Sequence, residues 1–99
     1  MNIIWTREAL EETKLIYEYY KLEVSLKVAK SIKSKIFSSV KNLHKQPRKG
    51  QIEELLSHKE GEYRYLVTSN YKVIYKVSEK EIFIMKVFDC RRNPKKMRT

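Results

Sequence analysis

The sequence predicts an α+β domain of two layers: a strand and two helices, then a three-stranded antiparallel meander, with the helix pair packed on one face of the sheet. Three observations lead there. Apolar residues recur every three or four positions in the first half, alternate with polar ones in the second, and the turn-forming residues fall between these segments.

Asn2 to Trp5 (NIIW) reads as a short strand, and Thr6 as the N-cap of a helix over about 7–22, with Glu8 well placed for the helix dipole. Ala9, Leu10, Thr13, Ile16, Tyr17 and Tyr20 form its apolar stripe. Leu15, Tyr19 and Leu22 fall on another side, where a partner would meet them. Ser25 caps a second helix whose stripe is Ala29, Ile32, Ile36, Val40 and Leu43, with Lys27, Lys30, Lys41 and Lys45 opposite. Pro47 and Gly50 stop it. Residues 51–60 give no clear period; Ile52, Leu55 and Leu56 suit a helical turn or a packed loop.

Three strands follow. EYRYLVT (62–68) places Tyr63, Tyr65 and Val67 on one face and Arg64, Leu66 and Thr68 on the other. Ser69 and Asn70 form a hairpin turn, and YKVIYKV (71–77) sets Tyr71, Val73, Tyr75 and Val77 against Lys72, Ile74 and Lys76. The last strand, Glu81 to Phe88, is almost continuously apolar apart from Lys86, as expected of a strand covered on both faces. In this reading the sheet face away from the helices is partly polar, and Arg64, Lys72 and Lys86 converge on it from three strands.

The 99 residues make one domain, 1–99, in which 90–99 is a basic C-terminal segment. The net charge of +10 favours a polyanion or an acidic protein partner. A lone cysteine, Cys90, excludes an internal disulfide, and neither His44 nor His58 has a partner at metal-ligand spacing, so no metal or cofactor is expected. Cys90 is expected to be a small packed residue. No run of about 18 apolar residues occurs, and the expected setting is the cytoplasm.

This order of elements, together with LIYEYY (15–20), Ala29, LHKQPRKG (43–50), YRYL (63–66), NYKVIYKV (70–77) and IFIMKVFDCRR (82–92), resembles the RelE/ParE superfamily of type II toxin–antitoxin toxins. The resemblance covers nearly the whole chain and implies the superfamily's two-layer fold, growth arrest as the activity and a cognate antitoxin as partner. It also implies two modes of action. RelE-like members are ribosome-dependent mRNA endonucleases, whereas ParE-like members inhibit DNA gyrase.

Metal-independent RNA cleavage requires a base for the 2′-hydroxyl, cations around the phosphorane and an acid for the leaving oxygen. Carried over from the family's pattern, Arg64, Lys72 (in place of an arginine) and Arg91 would be the cations; no acid or base carries over, and Tyr71 or Asp89 would have to stand in. Many RelE-like nucleases have a tyrosine or histidine just beyond the final arginine, and Arg92 to Thr99 contain neither. That departure, with the long amphipathic helix pair, tilts the resemblance toward the ParE-like branch. Target or antitoxin binding is then expected at Arg64, Lys72, Lys86, Arg91, Arg92, Lys95 and Lys96, the antitoxin being acidic and folding over them. For Arg64 an ordinary ion pair with Glu62 or Glu81 is an equal alternative. A third reading is a nonspecific nucleic-acid binding module using the lysines of the second helix.

Overall fold

The structure, a computed structural model, describes residues 1–91. It is a mixed α+β fold of two helices and a five-stranded sheet, ordered β1 (Asn2–Trp5), α1 (Arg7–Glu23), α2 (Leu26–Ser39), β2 (Gln51–Ile52), β3 (Glu62–Thr68), β4 (Tyr71–Val77) and β5 (Glu81–Asp89). Across the sheet the strands run β1-β5-β4-β3-β2, with β1 parallel to β5 and the other pairs antiparallel.

The expected caps form. Thr6 Oγ1 accepts from the Ala9 amide at 3.2 Å, and Ser25 Oγ accepts from the Val28 amide at 3.1 Å. α2 ends earlier than its stripe suggested. Ser38, Ser39 and Val40 are weak helix formers, Ser39 Oγ donates back to the Ile36 carbonyl at 2.6 Å, and the chain tightens into a 3-10 turn over Lys41–His44. Leu43 is nevertheless buried with Ala9, Ile36 and Val40 against Tyr71, Val73, Tyr75, Ile82 and Ile84, so the helices cover that face of the sheet.

The segment that showed no period supplies the fifth strand and a second 3-10 turn, Glu54–Leu56. Its leucines, Leu55 and Leu56, cover the opposite face, packing with Tyr63, Tyr65, Ile74 and Phe88. That face is therefore a small second core rather than an open cationic surface. In β5 the pairing shifts between Ile74 and Tyr75, so that Ile84 faces Tyr75 and Lys86 faces Ile74, with Met85 extra. The inserted residue changes which parity faces the helices, from Ile82 and Ile84 to Val87. Without it, Lys86 would point the same way as Ile84, into the core.

Candidate functional site

The expected convergence of Arg64, Lys72 and Lys86 does not form. A two-residue hairpin loop puts Thr68 directly opposite Tyr71, which pairs Arg64 with Tyr75 and Val67 with Lys72. Directly opposed residues share a face, so Arg64 lies on the side of Tyr75 and Lys72 on the side of Tyr65. All three cations are engaged by carboxylates.

Arg64 belongs to a clamp on the loop that follows the 3-10 turn. Its Nε donates to Glu62, and its Nη1 donates to the Gly50 carbonyl at 2.7 Å and the Arg48 carbonyl at 3.4 Å. Arg48 reaches the same carboxylate at 3.1 Å. Hydrogen bonding from Arg64 holds the Glu62 carboxyl below the usual carboxylate range. From beneath, the Tyr75 hydroxyl accepts from the Gly50 amide and donates to the Pro47 carbonyl, both at 2.9 Å. Burial pushes that phenol above its ordinary value. The loop lies so close to β3 that a Cβ on Gly50 would meet the Tyr65 carbonyl at 2.6 Å. Of the two readings of Arg64, the ion pair with Glu62 is the one the side chain makes.

On the other face Lys72 Nζ donates to Glu53 at 2.9 Å and stands 4.1 Å above the Tyr65 ring. Glu53, only 3% exposed, also accepts from the Leu55 amide at 3.2 Å and so anchors the covering turn. Lys86 turns to α1, with Nζ 2.7 Å from Glu8 and 4.0 Å from Glu12.

Those last contacts lie beside an open groove. β1 pairs with β5 only as far as Ile84, and from there the side chains of Thr6 and of Glu12 on α1 stand in for the missing strand. Thr6 Oγ1 donates to the Ile84 carbonyl at 2.8 Å, and Glu12 Oε1 accepts from the Val87 amide at 2.9 Å. Between α1 and the end of β5 lies a groove of about 500 Å³, floored by Ile16 and Val87 and walled by Leu15, Tyr19, Tyr71 and Arg91. Leu15 is 69% exposed and Tyr19 58%, an apolar rim on a helix whose other side is core. The Tyr71 hydroxyl reaches the Tyr20 hydroxyl at 3.4 Å. Burial raises the Tyr71 phenol well above its ordinary value, and the bond to Tyr20 and the charge of Asp89 push in the same direction. Such an environment favours the protonated form of the phenol.

Arg91 grips Asp89 with two bonds, Nε at 3.0 Å and Nη2 at 2.9 Å, which holds its guanidinium firmly charged. Of the residues singled out in the sequence, then, Tyr71, Asp89 and Arg91 meet at one groove, while Arg64, Lys72 and Lys86 are each elsewhere. Arg92, Lys95 and Lys96 lie outside the described residues. Cys90 is exposed rather than packed. Among the described residues no cluster of histidine, cysteine and carboxylate side chains fit for a metal ion occurs, and no helix is long and apolar enough to cross a membrane.

The family model described as the ParE toxin of type II toxin–antitoxin system, parDE, matches residues 3–94. Among solved structures, the chain is similar to one from the chromosomal ParDE toxin–antitoxin system of P. aeruginosa, with a TM-score of 0.75 and 25% identity over 90% of this chain and 95% of that one. It is also similar in fold to the YoeB dimer of Staphylococcus aureus, with a TM-score of 0.55 and 22% identity over 89% of this chain and 94% of that one. No curated protein matches it in sequence.

Proposed function

The chain belongs to the ParE toxin family of type II toxin–antitoxin systems, and from that premise we propose that it arrests growth by binding and inhibiting an essential target such as DNA gyrase, and that a cognate acidic antitoxin neutralises it. The observation that carries this reading is the groove between α1 and the end of β5. It offers exposed apolar and aromatic anchors, Leu15 and Tyr19, next to a firmly charged guanidinium, Arg91. Aromatic side chains and arginine are the residue types that dominate binding energy at protein interfaces.

The basic residues that follow Arg91 in sequence, Arg92, Lys95 and Lys96, would add attraction for an acidic segment laid in the groove. The chromosomal P. aeruginosa system is a toxin with an antitoxin, which supports the same kind of partner here. The alternative, ribosome-dependent mRNA cleavage, asks several cations to surround one phosphate. Support for it is weaker, because Arg64 and Lys72 lie on opposite faces of the sheet and are held by Glu62 and Glu53.

Inducing the chain in cells while following both plasmid supercoiling and messenger 5′ ends tests the choice. Loss of negative supercoiling with intact messages is the expected result. New cuts in phase with codons and unchanged supercoiling would refute it in favour of the nuclease. For the groove, Leu15→Asp with Tyr19→Asp leaves the free protein folded, since both side chains are exposed, and abolishes co-purification with the co-expressed antitoxin. Undiminished co-purification of that variant would place the antitoxin elsewhere.

A further inference from the structure

The lysines of α2 have no part in the groove, and among the described helices and strands they form the most one-sided charge distribution. Between Glu23 and Glu53 every ionised side chain is a lysine or an arginine. α1, in contrast, mixes both signs. On α2 the inward side is the buried Ala29 and Ile36, and the outward stripe is Lys27, Lys30, Ser31, Ser34, Lys35 and Ser38, all exposed. Its 14 residues extend over about 21 Å, and Lys41 and Lys45, also exposed, continue the positive charge beyond its end. None of these lysines takes part in the ion pairs found among the described residues.

We propose that the outer face of α2 is a second binding surface, for the phosphate backbone of duplex DNA, separate from the groove and independent of the toxin reading. Its composition selects this ligand over other polyanions. Ammonium and hydroxyl groups donate readily to phosphate oxygens, and the stripe lacks the arginine, asparagine and glutamine side chains whose paired donors and acceptors make most bidentate contacts to bases. An acidic protein segment would need an apolar or aromatic centre to dock on, and lysine is depleted at such centres. A single strand would need aromatic side chains for base stacking, and none projects here. An anionic membrane would need an unburied apolar face on the same helix, and that of α2 is occupied by the core. A straight helix also follows the open backbone and grooves of B-form DNA more readily than the narrow major groove of duplex RNA.

The test is fluorescence anisotropy of the full chain with a short labelled duplex of arbitrary sequence. Neutralising one phosphate each at Lys27, Lys30 and Lys35 gives a log–log salt slope of at least about −2.7, so affinity falls about 40-fold between about 50 and 200 mM salt. The triple variant K27Q/K30Q/K35Q, whose positions are exposed, should lose that dependence. A charge-matched triple, K21Q/K59Q/K80Q, also at exposed positions, should retain it. Equal losses in the two triples would reduce the surface to the diffuse field of the whole protein and overturn the proposal. So would an absence of binding by the unmodified chain, or tighter binding to duplex RNA or phosphatidylserine vesicles than to duplex DNA. Because supercoiling and messenger integrity are not read out, failure here leaves the toxin assignment untouched, and failure of that assignment leaves this surface untouched.

Discussion

Arg64→Ala separates a structural arginine from a working one. In the fold, Arg64 Nη1 supplies the donor to the carbonyl of Gly50, a buried residue, and truncation leaves that oxygen without it. An unsatisfied buried acceptor costs about 1–3 kcal/mol. The bond to Glu62 adds less than about 1 kcal/mol, because that carboxylate is partly exposed and keeps Arg48 as a partner. The long contact to the Arg48 carbonyl adds little. The expected loss is therefore about 2–3 kcal/mol, which for a domain of this size lowers the melting temperature by about 10 °C or more. Urea unfolding of the variant measures it, alongside Glu62→Gln, which should cost under about 1 kcal/mol. If Arg64→Ala unfolds at the same urea concentration as the unmodified protein and yet loses toxicity, the clamp is idle and the side chain serves an anion instead.

The same loop should respond to Tyr75→Phe, which strands the Gly50 amide and the Pro47 carbonyl and costs about 2–4 kcal/mol in urea unfolding; combined with Arg64→Ala the losses should fall short of additive by more than about 0.5 kcal/mol, since both act on Gly50. Lys72→Met leaves the buried Glu53 carboxylate with the Leu55 amide as its remaining donor and should cost about 2–3 kcal/mol by thermal unfolding, with much of this recovered when Glu53→Gln is added. The Glu62 carboxyl is held below its ordinary value of 4.5 in the folded state. Its contribution to stability is therefore complete above that pH and is lost as pH falls from there through the lower folded value. In acid titrations of stability, Glu62→Gln should flatten this part of the profile.

The local signals in the sequence were sufficient for both caps, the core stripe of α2 and the three long strands, because each depends on neighbours within a turn of helix or along one strand. Which strand faces coincide is a relation between strands, and there the expectation about Arg64 and Lys72 failed. Yet the information was present: a two-residue loop at Ser69 and Asn70 makes Thr68 and Tyr71 partners, which obliges even-numbered residues of β3 to face odd-numbered residues of β4. Arg64 then stands with Tyr75, and no choice of register for β5 could return it to Lys72. The extra Met85 in β5 carried no such signal, since an apolar run covered on both faces looks the same with or without a bulge. Nor did the bond from the Val87 amide to Glu12, which joins positions far apart in the chain.

The corrected faces also relocate the positive charge. Among the described residues, each cation that the sequence offered as an anion ligand sits beside a carboxylate: Arg64 at Glu62, Lys72 at Glu53, Lys86 at Glu8 and Arg91 at Asp89. Paired in this way the three less exposed of them, Arg64, Lys72 and Lys86, fasten a loop, a turn and the open edge of β5, and they contribute little to the outward field. The excess that makes the chain +10 must then be carried by other residues, and α2 is the described element rich in cations with no acid beside them. A groove with apolar anchors between α1 and β5, and a lysine–serine face on α2, are thus physically different surfaces. Substitutions that remove charge from α2 should leave antitoxin co-purification intact, whereas those in the groove should leave the salt-dependent attraction to DNA intact. If either set impaired both, the two faces would be one continuous site and the separation drawn from the ion pairs would be wrong.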